Sequence, residues 1–445
     1  MKIIYLHQYF GGPNSTGGTR TYEMAKRLVA RGHAVHVVTS ARNGTTYLGP
    51  WRSEEMAGIQ VHSVPVPYSN SMSYPRRILS FFAFAARSGI YARRLRGDLV
   101  FATSTPLTIA LPAAFAIFLR KSPMVFEVRD LWPEMPVATG ALRNPLLIFL
   151  ARALERFAYR HAAQVVALSP GMVKGVALTG YPIASITMIP NASDLELFGG
   201  QDANARIWRD SLDWLGNRPL VLYCGTFGTI NDLRYLVEVA AEAQTMNSDL
   251  RFLVVGSGGE ERQIRERAVE LGVLNESFFM LERIPKNEIP VVFAAATICT
   301  SLFAPVKEME SNSANKFFDS LAAGRPVAIN YGGWHEELLD SHHAGMRIDP
   351  LDHALAARVL VDLVADASRL KSLGLAARRL AESEFARDLL AEQLNGVFER
   401  TVSDPPSRHR VADRLDRVAT TLGGSILCAK ARSHRTKIDT PNDSQ

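Results

Sequence analysis

Short apolar runs alternate with helix-length amphipathic segments along most of the first 400 residues, and that alternation confines the chain to an α/β architecture. Before residue 200 the strand-like runs are KIIYLHQYF, AVHVVTS, IQVHSVPV, DLVFATS, MVFEVRD, QVVALS and ITMIPN. After it the series restarts with PLVLYCGT, RFLVVGSG, FFMLERI, TICTSLF, PVAIN and AGMRID. Near-continuous apolar strands separated by helices predict parallel sheets covered on both faces. Two series of similar size predict two doubly wound, Rossmann-like domains, with any ligand in the cleft beyond the carboxyl ends of the strands.

A chain of 445 residues is too long for one ordinary core, and its 47% apolar and 21% charged content is that of a globular protein. The net charge of +6 divides unevenly. Residues 1–200 carry 21 Lys and Arg against 10 Asp and Glu, whereas residues 201–399 carry 20 against 29. A basic first half predicts an anionic partner, a membrane surface or a phosphate-bearing substrate, and the absence of any nucleic-acid motif argues against DNA or RNA. Three widely spaced cysteines form neither a disulfide framework nor a zinc motif and suit a reducing cytoplasm. The opening residues lack a signal-peptide core. The longest apolar stretch, Leu107 to Leu119, is broken by Pro112 and is too short to span a bilayer. The expected location is cytoplasmic, peripheral on the inner face of the membrane.

The stretch GGPNSTGGTRTYEMAKRL, Gly11 to Leu28, places four glycines ahead of an amphipathic helix. Such turns can hold phosphate on the free N–H groups of the helix start. It is not a P-loop, because Gly18 stands where the lysine belongs, and the G-x-G-x-x-G spacing of dinucleotide sites is absent. A plain turn capped by Thr19 or Thr21 is the other reading.

Taken together, YLHQYFGGPNSTGGTRTYEMAKRLVARGHAVHVVT, VFEVRDLWPE, VVALSPGMVKGV and ITMIPNASDLELF resemble the acceptor half of a retaining glycosyltransferase of family 4. LVLYCGTFGTINDLRYLVEVA, FLVVGSGGEERQI, SNSANKFFDSLAAGRPVAIN and GGWHEELLDSHHAGMRI continue the match in the family's order. The resemblance covers roughly residues 1–400. It implies the GT-B fold: an acceptor-binding domain at 1–198 and a nucleotide-sugar-binding domain at 199–385. A helix at 386–403 would pack back on the first domain, and 404–445 would be a disordered tail. FEVRDLWPE with SANKFFDSLAAG resembles the branch that builds O-antigen, capsule or exopolysaccharide.

The resemblance also implies roles for particular residues. The family places two glutamates with seven residues between them, the second on the donor ribose; here Asp319 holds the second place and Ser311 the first, with Glu310 beside it. Asn315 and Lys316 open a helix, where N–H groups and a positive charge would face a diphosphate. Gly17, Gly18, Gly225 and Thr226 would complete the donor site. The family's basic pair in the GTFGTINDL segment is replaced by Thr226 and Asn231, which moves the phosphate charge onto Lys316 and helix N-termini, with Arg262 a weaker candidate. In the first domain His7, Glu127 and Arg129 would meet the acceptor. Arg129, where the family has histidine, and Asp130 would act beside Lys316 in catalysis. Arg129 cannot serve as a base, since it never loses its proton. On strand alternation Glu127 and Arg129 share one face and Asp130 the other. A buried Arg–carboxylate brace is the alternative use of this cluster.

No D-x-D, H-x-x-x-H or cysteine-pair spacing occurs, so no metal is expected and the donor, a UDP-sugar, is a substrate rather than a cofactor. Residues 75–96 mix large apolar residues with six arginines, as an interfacial helix would, or a core helix with snorkelling arginines. The expected activity is transfer of an N-acetylated hexosamine or deoxyhexosamine from UDP to a lipid-linked saccharide. A nucleotide-sugar 2-epimerase and a catalytically inactive scaffold share the fold and stand as rivals.

Overall fold

The computed structural model describes residues 1–13, 19–40, 51–66, 72–247 and 249–404. Gly17, Gly18 and nearly all of the expected tail lie outside them. Two sheets carry the fold. The first contains β1 (Lys2–Leu6), β2 (Ala34–Ser40), β3 (Arg52–Met56), β4 (Ile59–Val64), β5 (Leu99–Thr103), β6 (Met124–Val128), β7 (Gln164–Ala167) and β8 (Ile186–Met188). Their spatial order is β3-β4-β2-β1-β5-β6-β7-β8. The second contains β9 (Leu220–Thr226), β10 (Arg251–Ser257), β11 (Phe278–Leu281), β12 (Ile298–Ser301), β13 (Val327–Ile329) and β14 (Gly345–Arg347), in the order β11-β10-β9-β12-β13-β14. Both are doubly wound, with the order reversing beside β1 and beside β9, and ligands bind at such reversals.

One strand escapes the sequence pattern. β3 pairs antiparallel with β4, while every other pairing in the two sheets is parallel. Its sequence, RSEEM, is charged and exposed, so it shows none of the apolar signal of a buried strand. The two-residue turn that makes the hairpin is Ala57-Gly58, both at positive φ.

Each sheet buries both faces. On one side of the first sheet Ile4, Leu6, Val100 and Phe126 pack under helices Tyr74–Leu95, Ala110–Ile117 and Pro145–His161. On the other, Ile3, Tyr5, Phe101 and Val125 meet helix Arg20–Ala30 and the last described helix, Arg387–Ser403. The chain therefore crosses back after the second sheet. Leu390, Ala391, Leu394, Val397 and Phe398 join the first sheet's core, and Phe398 lies edge-on to Phe101 at 4.9 Å. That helix is separated from Ala367–Glu384 by Phe385 and Ala386, where an isolated bridge ties Ser193 to Ala386.

Because Phe398 is fully buried between sheet and helix, Phe398→Ala should cost about 3–5 kcal/mol of stability. Denaturant unfolding of the full chain measures the loss; a change below about 1 kcal/mol would show that the helix contributes little to the first domain's core.

Candidate active site

Two adjoining cavities, of about 420 and 430 Å³, open between the sheets and share Phe303 and Ala314 as a common wall. The first lies at the carboxyl ends of β9 and β10. Gly225 and Gly256 are paired across the two strands, and a Cβ on Gly256, at φ +155°, would stand 1.8 Å from the Gly225 carbonyl oxygen. The backbone there is bare because no side chain fits.

Helix Asn315–Ala322 enters this cavity with its first turn, and no side chain caps it. Asn315, Lys316 and Asp319 all line the wall, as do Gly225 and Thr226. The Lys316 ammonium donates to the Tyr223 hydroxyl at 2.9 Å and to Asn231 Oδ1 at 2.8 Å. It also sits over the rings of Tyr223 at 4.4 Å and Phe303 at 5.0 Å. None of these partners carries a charge, and among the described residues Lys316 enters no ion pair. Burial without a counter-ion lowers its pKa to about 7. Asp319 accepts from the Ser193 hydroxyl at 2.7 Å. Burial pushes its carboxyl up to about 6, against the pull of that hydrogen bond and of Arg387 and Lys286.

Glu310 and Ser311 line neither cavity. Ser311 faces the first domain instead: its carbonyl accepts from the Ser169 hydroxyl at 2.6 Å, and a Cβ on Gly171 would lie 2.1 Å from its Oγ. Glu310 packs beneath Gly333, whose Cβ would stand 2.7 Å from the Glu310 carbonyl oxygen. Arg262 is a surface charge that pairs with Glu266 at 3.7 Å.

The second cavity lies beyond β1 and β6. His7, Arg129 and Asp130 line it together with Thr105, Asn191 and the side chains of Met135, Met172 and Met309. Arg129 and Asp130 share the cavity although strand alternation would separate them. β6 ends at Val128, so the alternation stops before either residue. The Asp130 carboxylate accepts from Thr105 Oγ1 at 3.1 Å, and the Arg129 amide donates to Ser104 Oγ at 3.0 Å. Glu127 is still within the strand and is fully buried, outside both cavities. It accepts from Arg20 at 2.9 Å and from Thr103 at 2.5 Å. An Arg–carboxylate brace is present, but its cation is Arg20 rather than Arg129. Arg20 also donates to the carbonyls of Ile189 and Pro190, which ties helix Arg20–Ala30 to the chain leaving the first sheet.

Thr19 and Thr21 do not cap that helix; the first hydroxyl accepts from Lys286 and the second bonds the His7 ring at 2.9 Å. Arg20, Asp194, Arg283, Lys286 and Arg387 are among the first cavity's lining residues that the sequence reading does not single out. Arg20 alone carries a signal, a cation directly after a glycine-rich turn at a helix start.

The amino-terminal part matches the model of the glycosyl transferase 4-like domain over residues 15–192, and the second part that of glycosyl transferases group 1 over residues 218–366. The chain is a GT-B glycosyltransferase of the family 4 type. It is 26% identical over 298 residues to the Escherichia coli K12 protein named "Putative colanic acid biosynthesis glycosyl transferase WcaI", covering 63% of this chain and 72% of that one. It is 23% identical to the Pseudomonas aeruginosa "Probable glycosyltransferase WbjE", covering 73% of this chain and 80% of that one. Among solved structures, Anabaena Alr3699/HepE in complex with UDP superposes with a TM-score of 0.69 at 18% identity, over 90% of this chain and 100% of that one. WaaG, a glycosyltransferase involved in lipopolysaccharide biosynthesis, gives 0.65 at 16% identity over 89% and 99% of the two chains. At such identities the structural likeness establishes the two-domain GT-B fold.

Two of the shifted groups in the first cavity, Lys316 and Asp319, define a pH window. Lys316 is charged below about pH 7 and Asp319 above about pH 6. If both bind donor in their charged forms, affinity for a nucleotide sugar is greatest between these values. It should fall on the alkaline side as Lys316 loses its proton, and on the acid side as Asp319 gains one. A nucleotide sugar is the right probe because its diphosphate diester does not titrate there. Calorimetric titration from pH 5 to 9 checks this, and the alkaline limb should be smaller in Lys316→Met than in the wild type.

Proposed function

We propose that this protein transfers a sugar, with retention of anomeric configuration, from a UDP-sugar to a lipid-linked saccharide during the assembly of a cell-surface polysaccharide. The observation that carries the donor reading is the Lys316 ammonium, half-buried on the first cavity's wall among neutral partners only. A diphosphate supplies the missing counter-charge, and a fixed cation at the leaving group stabilises the charge that develops as the glycosidic bond breaks. Asp319 offers carboxylate oxygens to a ribose diol. The reacting sugar would lie where the cavities meet, at Phe303 and Ala314, with His7, Arg129 and Asp130 around the acceptor side.

In this reading the acceptor oxygen bonds to the anomeric carbon on the face from which the diphosphate leaves. The acceptor proton passes to the departing phosphate oxygen. Lys316 neutralises that phosphate, Arg129 holds charge but takes no proton, and Asp130 orients sugar hydroxyls. No metal is invoked, because Lys316 and the uncapped helix start supply the positive charge. The methionines of the second cavity favour a sugar bearing a methyl group, as an acetamido or deoxy sugar does. Assembly of a surface polysaccharide is supported by the similarity to WcaI, whose name assigns it to colanic acid biosynthesis.

If this is correct, Lys316→Ala and Asp319→Ala each lose about 2–4 kcal/mol of transition-state stabilisation in kcat/KM, with thermal stability nearly unchanged. Wild-type turnover should persist in EDTA. Full activity in either variant would overturn the assignment of the first cavity to the donor.

The lipid-linked acceptor is supported by one face of the first domain. Helices Tyr74–Leu95, Ala110–Ile117 and Pro145–His161 lie side by side there. They expose Leu79 (70%), Phe82 (54%), Phe149 (64%) and Leu150 (52%), with Leu119 (81%) just beyond. Arg76, Arg93, Arg94 and Arg152 belong to the same helices; the side chains of Tyr74, Pro75 and Arg77 lie outside the described set. Apolar side chains for the interface and cations for anionic headgroups are what peripheral docking requires. Among the described residues no helix is long and apolar enough to cross a membrane. Binding to vesicles should need anionic lipid, weaken in high salt, and drop when Leu79 and Phe149 are changed to Ser. Equal co-sedimentation with neutral and anionic vesicles would remove the electrostatic part of this docking.

A further inference from the structure

The charges lining the first cavity do not balance, and a second lysine accounts for the excess. Arg20 is matched by Glu127, and Arg387 by Asp194 at 2.9 Å. Arg283 is exposed and donates to Ser257 Oγ at 3.0 Å. Lys286 enters no ion pair among the described residues, although it too lines the wall. It stands in the segment that follows β11, in the second domain, and its ammonium donates to the Thr19 hydroxyl across the cleft. Burial and the nearby Arg387 lower its pKa, while Glu23, Asp319 and Asp194 pull the other way from a distance. A lysine half-buried against a single neutral hydroxyl is poorly compensated, and it shares its cavity with Lys316, which is compensated no better.

We propose that Lys286 is a second donor-binding cation, which exchanges the Thr19 hydroxyl for the diphosphate of the nucleotide. The inference rests on the assignment of the first cavity to the donor. A diphosphate diester carries two negative charges, and apart from the exposed Arg283, Lys286 and Lys316 are the cations of the cavity that no carboxylate holds among the described residues. Lys286 comes from the second domain while Thr19 belongs to the first. An anion bound at Lys286 therefore takes the place of a contact between the domains and lies against both.

The test is calorimetric titration of UDP and of uridine, with GDP and guanosine in parallel, into the full chain, Lys286→Met and Lys316→Met. Lys286→Met keeps the alkyl stem and loses only a bond to a neutral hydroxyl, so circular-dichroism melting should match the wild type. The expected result is UDP affinity reduced on the order of tenfold or more in Lys286→Met. Uridine affinity should be unchanged, and the dependence of UDP binding on salt should be shallower. Unchanged UDP affinity in Lys286→Met, alongside weakened binding in Lys316→Met, would overturn the role of Lys286 and leave the donor site standing. Equal loss for UDP and uridine would also overturn it, because Lys286 would then act on the nucleoside. A wild type that binds neither diphosphate would remove the donor assignment itself.

Discussion

A positive charge inside a protein is costly unless something answers it, and Lys316 is answered only by a phenol, an amide oxygen and two aromatic faces. A carboxylate at the same place would stabilise the lysine and spoil the site, since an anion would then meet a neutral pair. The neutral partners fix the ammonium in position while leaving its charge available. Asn231 has a particular place in this arrangement. It stands where the family carries a lysine, and the Lys316 ammonium lies 2.8 Å from its Oδ1. The cation comes from a different helix, and the residue that replaced it has become its ligand.

The position of Lys316 depends in turn on the other domain. The segment leading into its helix is held by the first domain at successive points. Ser169 donates to the Ser311 carbonyl, Asn191 donates to the Ser313 carbonyl at 2.6 Å, and Ser193 donates to Asp319. Gly171 permits the approach at Ser311, because any side chain there would collide with it. The contacts by which the domains meet therefore also position the groups that line the first cavity. At Ser311 the available space is taken by the neighbouring domain.

The sheets and their grouping were legible because buried parallel strands leave continuous apolar runs, and the exposed β3 was invisible for the same reason. Several cavity-lining residues that belong to local motifs were also legible: Gly225, Thr226, Asn315, Lys316 and Asp319 line the first cavity, and His7, Arg129 and Asp130 the second. What could not be read were pairings across long separations. Glu127 looks like a cavity residue beside Arg129, yet its partner lies 107 positions earlier, at Arg20. Lys286 and Thr19 are 267 positions apart, and nothing in either neighbourhood announces the other. Spacing rules describe which side chains share a face of one element; they say nothing of which elements face each other.

The two sides of the first sheet show how such long-range pairing divides the work. One side is closed by helix Arg20–Ala30 and by the returning helix Arg387–Ser403, and it is laced with ions: Arg27 pairs with Asp194 at 2.7 Å and with Asp388, and Arg31 pairs with Glu392 at 2.6 Å. The partly buried members of that set lock the crossing point of the chain at the base of the first cavity, where Arg387 and Asp194 are wall residues. The other side is covered by three helices whose outer faces keep large apolar residues in solvent. The two sides of the first sheet are thus unlike: one is tied down by ion pairs to the returning helix, and the other keeps apolar side chains in solvent.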